Sequence, residues 1–227
     1  ARTSYLMQDA EMILADVLAQ DWASCGNASV LNLTPFRQLS APRQRQLLSA
    51  WMKGEDLYRP AFDMVQRLFD EVIESKVDAQ AALHWNQYYY VRYQQQLFRV
   101  SKAEYLAEQF QTIESIEQRF SLNQAYALAS GKFRIETQKY GLSSALLEQP
   151  LQIKPRLGGE KLHLYGRVGA WPLKKAIQSA QIFPWQRHTI QILSIDNVML
   201  GVFTPKGFWL VESAYCEVGG WQPNLIA

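Results

Sequence analysis

The sequence is poor in cysteine, has no long apolar run and disperses its few histidines. Only two of its 227 residues are cysteines. Cys25 and Cys216 form no C-x-x-C pair, which is compatible with a reducing compartment. No run of about 18 apolar residues occurs, so no transmembrane helix is predicted. The spacing of His84, His163 and His188 suits no set of metal ligands. We therefore expect neither a membrane span nor a metal site in this chain.

Compact catalytic motifs are also missing from the sequence. There is no G-x-x-x-x-G-K-[ST] phosphate loop, no G-x-G-x-x-G after a strand, no H-E-x-x-H and no G-x-S-x-G. The carboxylates lie mostly on the surfaces of predicted helices, and no acid–base pair stands out among them. An enzyme that assembles its site from residues distant in the sequence is left open. We nevertheless predict no catalytic residue and no activity of this chain alone.

The composition is that of an ordinary globular protein, but its charge is unevenly distributed. Hydrophobic residues make up 48% and charged residues 19% of the chain. Residues 1–130 carry 12 Lys/Arg and 15 Asp/Glu, a net charge of −3, whereas residues 131–227 carry 11 and 6, a net charge of +5. Contact with a polyanion is therefore expected in the second half. The pI of about 8.5 is lower than that of a typical stand-alone nucleic-acid binder.

The first hundred residues show helical periodicity followed by short strand-like runs. Apolar residues recur at three- and four-residue spacing, and Gly26 and Gly54 supply helix ends. Runs rich in aromatic and β-branched residues follow, which predicts a three-stranded antiparallel meander. Tyr88 to Tyr90 could stack on bases, although alternate tyrosines of a meander usually pack against helices. The predicted helices are 4–23, 40–54 and 60–73, and the predicted strands are 82–85, 88–93 and 97–100.

From residue 101 onward the pattern becomes that of a β-rich domain. Residues 101–131 carry both helix and strand spacing and are interpreted as a connector. Asp196-Asn197 supplies hairpin turn chemistry, and the glycine-rich tail 219–223 is expected to fray. The predicted strands are 132–136, 151–155, 161–165, 189–195, 198–203 and 207–212. The predicted fold class is α+β, with a helical domain and a short antiparallel meander at 1–100, then a β-rich domain containing a strand-turn-helix at 101–227.

One stretch, LHLYGRVGAWPLKKAIQSAQIFPWQR, combines these signals with positive charge. Alternating residues predict a strand, and Gly166 and Gly169 then bracket a tight turn. Pro172 is suited to the first turn of a helix, where Lys174 and Lys175 follow. Cations gathered in this way indicate a phosphate-binding surface. The plainer alternative is a glycine turn and a solvated lysine pair of the kind found in many globular domains.

The run GRVGAWPLKKAIQSAQIFPWQR resembles the C-terminal domain of the tRNA(Ile)-lysidine synthetase family. The signature of that domain is approximately G-R-x-G-G-[RS]-K-x-L-K-K followed by I-P-x-x-x-R. Ala170, Trp171 and Pro172 depart from it and remove two of its cation positions. The first half is similar to the family's helical middle domain in LTPFRQLSAPRQRQLLSAWM and YYYVRYQQQLFRV. The matching residues of the signature are Gly166, Arg167, Gly169, Leu173, Lys174, Lys175, Pro184 and Arg187.

The resemblance implies a function that belongs to a longer protein. The family's catalytic part is an N-terminal ATP-pyrophosphatase domain with an S-G-G-x-D-S loop, and that loop is absent from this sequence. ATP and Mg²⁺ would therefore bind outside this chain, and no cofactor is expected within it. The whole enzyme would be a cytoplasmic bacterial ligase that joins lysine to the wobble cytidine of an isoleucine tRNA. The expected partners are tRNA(Ile) and the N-terminal catalytic domain, and a homodimer is left open.

Seven basic residues are predicted to contact the RNA. Lys174 and Lys175, with two arginines of the same stretch, Arg167 and Arg187, are expected to bind phosphates. A second group of arginines lies in the helical domain, with simple surface charge as the alternative: Arg37, Arg43 and Arg45.

A protein-interaction or scaffolding module with no nucleic-acid role is the competing hypothesis. Its 12% of aromatic residues would then serve a packed interface. Salt distinguishes the two, because an RNA clamp loses affinity as the salt concentration rises, whereas such a module should still bind.

Overall fold

The computed structural model describes residues 2–76, 81–110 and 112–226. The chain divides into two compact units, Ala1–Tyr105 and Leu106–Ala227. The division falls close to the boundary at residue 100 that the sequence predicts. Among the described residues, every helix is either too short or too polar to span a lipid bilayer.

Helices form most of the first 75 residues, as the apolar periodicity predicts. Gly54 ends the third of them with φ 52°, and its N–H donates to the carbonyl of Ala50 at 3.2 Å. The side chain of Asn32 caps the second by accepting from the N–H of Thr34 at 3.0 Å. The helices are α1 (Arg2–Cys25), α2 (Leu33–Phe36), α3 (Ala41–Lys53) and α4 (Phe62–Arg67), and α4 continues into a π-helical segment (Leu68–Ile73).

A four-stranded antiparallel sheet completes the first unit. Its strands are β1 (Val30–Asn32), β2 (Ala82–Trp85), β3 (Tyr88–Tyr93) and β4 (Gln96–Ser101), followed by the short helix α5 (Lys102–Tyr105). The strand order is β1-β4-β3-β2. The predicted meander is confirmed, and β1, which the sequence shows only as a short apolar run, adds a fourth strand beside β4.

The core of the first unit lies around Trp51 and Tyr90. Both side chains are fully buried, and their rings meet edge to face at 5.5 Å. The hydroxyl of Tyr90 donates to the carbonyl of Met52 at 3.2 Å, and burial raises the pKa of this phenol. For Tyr90, packing against the helices is therefore confirmed and base stacking is excluded.

The second unit is mainly β-structure. Its longest strand, β7, pairs with three other strands. Asp196 and Asn197 form the predicted tight turn, with φ of 45° and 66°. Its elements are α6 (Ala107–Phe110), β5 (Ile116–Gln118), β6 (Ala125–Leu128), β7 (Gly131–Leu142), a 3₁₀ turn (Ser144–Glu148), β8 (Leu151–Pro155), β9 (Lys161–Leu162), β10 (Trp171–Pro172), α7 (Leu173–Ser179), a second 3₁₀ turn (Pro184–Thr189), β11 (Gln191–Ile195), β12 (Val198–Thr204), β13 (Gly207–Leu210), β14 (Cys216–Val218) and β15 (Trp221–Ile226).

These strands form two larger antiparallel sheets and one short ladder. The first sheet has the order β13-β12-β11-β8-β5. The second is built on β7, which pairs with β6, β14 and β15. The ladder joins β9 to β10 and lies directly before α7. The predicted α+β fold, with a strand-turn-helix inside a β-rich domain, is confirmed.

Three local predictions for the second unit are wrong. The tail does not fray, because β15 pairs with β7 from Trp221 to Ile226. The connector 101–131 is not irregular throughout, because it contains two strands. Strand β5 pairs with β8 in the first sheet described above, and β6 pairs with β7 in the second. The predicted strand 161–165 is regular only over β9, after which a single bridge joins Leu164 to Val211.

Candidate nucleic-acid interface

A loop held by Glu160 precedes the basic stretch and fixes where it begins. One carboxylate oxygen of Glu160 accepts from the N–H groups of Leu157 and Gly158 at 2.8 and 2.6 Å. The other lies 3.4 Å from Nε of Arg156. Burial alone would raise the pKa of this carboxyl, but the backbone donors and Arg156 outweigh it and hold the pKa below its usual value. The backbone carbonyl of Glu160 accepts from Leu173 at 2.8 Å, which ties the start of α7 to this loop.

The segment after β9 is attached to the end of β13. The N–H of Tyr165 donates to the carbonyl of Leu210 at 3.0 Å, and the N–H of Glu212 donates to the carbonyl of His163 at 2.7 Å. Leu162 and Leu164 are buried while His163 and Tyr165 are exposed, as the alternating pattern predicts. The bonds to β13 therefore place Tyr165 at the surface immediately before the glycine turn.

The glycine turn presents Arg167 to solvent. Gly166 and Gly169 have φ of 77° and 78°, a conformation that side chains with a Cβ rarely adopt. The guanidinium carbon of Arg167 lies 4.7 Å from the ring centroid of Trp171. Trp171 is one of the residues that depart from the family signature, and here it provides an aromatic support for the arginine.

Helix α7 separates an apolar face from a pair of exposed lysines. Leu173, Ala176 and Ile177 are buried, whereas Lys174 and Lys175 are exposed. Within the part of the chain that the structure describes, neither ammonium group has a hydrogen bond or an ion pair. Binding a phosphate would thus require no existing contact to be broken.

Arg187 is more firmly held than the lysines. Its side chain is partly buried, and Nε donates to the carbonyl of Ile182 at 3.1 Å. This bond closes the loop between α7 and the following 3₁₀ turn. The terminal nitrogens of Arg187 have no hydrogen-bond acceptor among the described residues, and its role as a phosphate contact stays a prediction.

The three arginines of the second group have different environments within the first unit. Arg43 forms a two-pronged ion pair with Asp21, whose side chain is only 3% exposed. Arg37 donates to the side chain of Gln95 and to the carbonyl of Ile73 at 2.9 and 3.3 Å. Arg45 is exposed and has no side-chain partner among the described residues. The RNA contacts of all three stay predictions, and of the three only Arg45 lacks a side-chain partner among the described residues.

One further cation of this surface was not predicted from the sequence. Lys161 is exposed and pairs in register with Pro172, the residue before α7. It therefore lies beside the start of the helix that carries Lys174 and Lys175. The run L-G-G-E-K at residues 157–161 is the sequence feature that could have indicated this position. Its glycines and Glu160 form a tight loop that returns the chain toward α7. The described residues include no group of three His, Cys, Asp or Glu side chains placed to share a metal ion.

Comparisons with known proteins give a consistent result for both units. The model of the TilS substrate binding domain matches residues 31–98, and that of the TilS substrate C-terminal domain matches residues 151–216. All seven predicted RNA contacts lie inside these ranges. Nothing in the comparisons favours the scaffolding hypothesis.

Curated relatives match over almost the whole chain. The tRNA(Ile)-lysidine synthase of Acinetobacter baylyi is 62% identical over 100% of this chain and 50% of its own length. The proteins of the same name from Xanthomonas campestris and Escherichia coli O157:H7 are 28% and 25% identical over 88% and 99% of this chain, and 44% and 51% of their own lengths. The chain thus spans about half the length of these relatives. A solved structure described as "Crystal structure of TILS C-terminal domain" aligns with 50% of this chain and 99% of its own, at 18% identity and a TM-score of 0.36.

Proposed function

The chain belongs to the TilS family through its substrate binding domain and its substrate C-terminal domain, and on that premise we propose that it is the tRNA-recognition portion of an ATP-dependent tRNA(Ile)-lysidine synthase. The observation that carries the proposal is the 62% identity to a protein of that name over the whole chain. In this proposal the longer enzyme attaches lysine to the wobble cytidine of an isoleucine tRNA. ATP, Mg²⁺ and the catalytic residues belong to the half that this chain does not contain, so the chain alone is inactive. A cytoplasmic location stays a prediction, and a homodimer stays an open alternative.

The contribution of this chain would be to hold the tRNA by its phosphates. Among the described residues, the ammonium groups of Lys174 and Lys175 have no partner. Arg167 is exposed a few residues before them, and Lys161 is exposed on the strand that pairs with Pro172. Residues 131–227, which form most of this unit, carry a net charge of +5, and this charge attracts a polyanion. Phosphate contacts fix the position of an RNA without reading its sequence, and helical RNA is recognised largely by its shape and backbone.

Substitution of the lysine pair tests this proposal. Binding of fluorescently labelled isoleucine tRNA would be followed by anisotropy over a series of salt concentrations, for wild-type chain and for Lys174→Ala/Lys175→Ala. The slope of log affinity against log salt is negative, and the loss of two phosphate contacts should make it shallower by roughly 1.4–1.8. The matched control is Lys132→Ala/Lys206→Ala, which removes two exposed lysines of the same unit.

The outcomes separate the parts of the proposal. A shallower salt dependence in the lysine variant and an unchanged salt dependence in the control would support the phosphate role of α7. Equal slopes in all three proteins would remove the lysine pair from tRNA binding. If only the full-length protein binds tRNA, the affinity lies in its other half, and the proposal that this chain recognises tRNA is wrong.

A further inference from the structure

An open cavity of about 300 Å³ lies beside the basic stretch in the second unit. Helix α7 and the residue that follows it contribute Ala176 and Ala180 to its wall, and the segment after β9 contributes Tyr165 and Arg167. Strand β13 contributes Phe208 and Trp209. The helix that carries Lys174 and Lys175 thus also forms one side of this cavity, where Ala176 directly follows Lys175 in the sequence.

The wall of the cavity is aromatic and mostly preformed. Tyr165 is 51% exposed, but its ring is stacked on that of Tyr140 at 4.7 Å with an interplanar angle of 20°. Phe208 is fixed against Phe203 and covers Gly201, where a Cβ would come within 2.0 Å of its ring. Rings held in this way provide a stacking surface without first having to be ordered.

Polar groups at the cavity have unused hydrogen-bonding capacity. The amide nitrogen of Gln222 donates to the carbonyl of Tyr140 at 2.7 Å. This bond uses the amide nitrogen, and the side-chain oxygen of Gln222 accepts no hydrogen bond from any residue that the structure describes. Arg167 adds the donors of its guanidinium, and in the described part of the chain the indole N–H of Trp209 has no acceptor. The cavity therefore offers both donors and an acceptor beside flat apolar walls.

We propose that this cavity binds one unpaired nucleobase of the RNA while the lysine pair holds neighbouring phosphates. A volume of about 300 Å³ is at the lower end of small-molecule pockets, which suits a single base. Aromatic stacking combined with hydrogen bonds to the base edges is the usual way in which proteins bind unstacked RNA bases. The net charge of +5 in residues 131–227 favours a nucleotide over an uncharged apolar ligand. This inference rests on the proposed function, because it assumes that the second unit binds RNA.

The test compares RNA stem-loops that differ by one unpaired nucleotide. Four labelled RNAs share one stem and are blunt, or carry a single 3′, 5′ or bulged 2-aminopurine. Wild-type chain should bind at least one of the unpaired forms roughly fivefold to a hundredfold more tightly than the blunt form. Stacking should also quench the fluorescence of the 2-aminopurine in that complex.

Two variants act on the cavity by different means. Ala180→Leu places extra atoms in the cavity, and Tyr165→Ala removes part of the stacking wall. Each should reduce the affinity for the preferred RNA to that for the blunt RNA, with little change in the blunt affinity. Tyr58→Ala is the control, because Tyr58 is 76% exposed on the first unit. Thermal unfolding of each variant verifies that it is folded.

The outcomes separate this inference from the proposed function. If all four RNAs and isoleucine tRNA bind with a salt-dependent affinity, but the unpaired nucleotide has no effect, the nucleobase site is wrong and tRNA recognition stands. The same conclusion follows if a folded Ala180→Leu and a folded Tyr165→Ala both keep the preference. If neither tRNA nor any stem-loop binds, both proposals are wrong.

Discussion

At the residue scale, the seven predicted RNA contacts differ in what each side chain already does. The ammonium groups of Lys174 and Lys175 have no side-chain partner in the described part of the chain, whereas Arg43 holds the carboxylate of Asp21, which is 3% exposed. A buried carboxylate without its partner is strongly destabilising. The charge of Arg43 therefore already contributes to the stability of the first unit.

Arg43→Ala should lower the Tm of the chain by several degrees, because Asp21 would be left buried and unpaired. Arg45→Ala, which removes an exposed arginine of the same helix, should leave the Tm nearly unchanged. Adding Asp21→Asn to Arg43→Ala should recover part of the loss, since the unpaired charge is then removed as well. Thermal unfolding of the four proteins measures these effects. A Tm of Arg43→Ala equal to that of wild type would contradict the structural role.

Glu160 gives a pH-dependent prediction at the same scale. Its pKa is lowered in the folded chain from a usual value of 4.5, so the ionised form stabilises the loop. That contribution is present above pH 4.5 and is lost as the pH falls through the lowered pKa. Glu160→Gln should cost about 1–3 kcal/mol at neutral pH and should weaken the loss of stability in acid. Chemical denaturation at pH 7 and pH 4 checks this, with Glu148→Gln at an exposed position as the control.

If Glu160→Gln unfolds with the same free energy as wild type at both pH values, the carboxylate does not hold the loop.

The sequence alone showed the cations and the glycines of this stretch. It could not show that the guanidinium of Arg43 already pairs with Asp21. The two residues lie 22 positions apart in the sequence, and they meet only after α1 and α3 have packed.

At the scale of elements, the C-terminal strand shows why glycine and proline are ambiguous signals in a sequence. Gly219-Gly220 and Pro223 suggest a frayed tail, yet β15 pairs with β7 over its whole length. A Cβ on Gly220 would come within 2.6 Å of the backbone of Gly141, and one on Gly141 would come within 2.5 Å of the carbonyl oxygen of Trp221. These glycines permit a close approach of two backbones, which no local pattern reports.

Trp221→Ala should destabilise the second unit by about 3–5 kcal/mol. The Trp221 side chain is 1% exposed, and its indole N–H donates to the carbonyl of Ser143 at 2.9 Å. Leu225→Ala is the matched control on the same strand, and a smaller loss is expected because Leu225 is 39% exposed. Urea unfolding followed by fluorescence and by circular dichroism gives both values. Equal losses for the two variants would mean that β15 adds no core packing at Trp221.

Elements with long apolar periodicity were the most predictable. Helices α1 and α3 and the meander of β2, β3 and β4 lie where the sequence places them, because each has a continuous pattern and clear ends. Strands β5 and β6 are short, and β5 pairs with residues far along the chain. Their pairing depends on tertiary contacts that helix and strand periodicity do not record.

At the scale of the whole molecule, the excess of positive charge and the match to the TilS substrate C-terminal domain fall in the same half of the chain. Residues 131–227 carry a net charge of +5, and the match to the TilS substrate C-terminal domain lies within them. The sequence predicted this charge asymmetry and the lysine pair of α7. It did not predict the cavity beside α7, because that cavity combines β13, the segment after β9 and the helix itself.

The decisive experiment for tRNA recognition is a titration of labelled isoleucine tRNA with this chain at two salt concentrations, against a polyanion of similar size. We expect tighter binding of the tRNA than of the polyanion, and a steep loss of affinity at the higher salt concentration. Equal affinity for both polyanions would indicate attraction by charge alone. Binding that is indifferent to salt, or no tRNA binding even at low salt, would contradict the claim that this chain recognises tRNA through its phosphates.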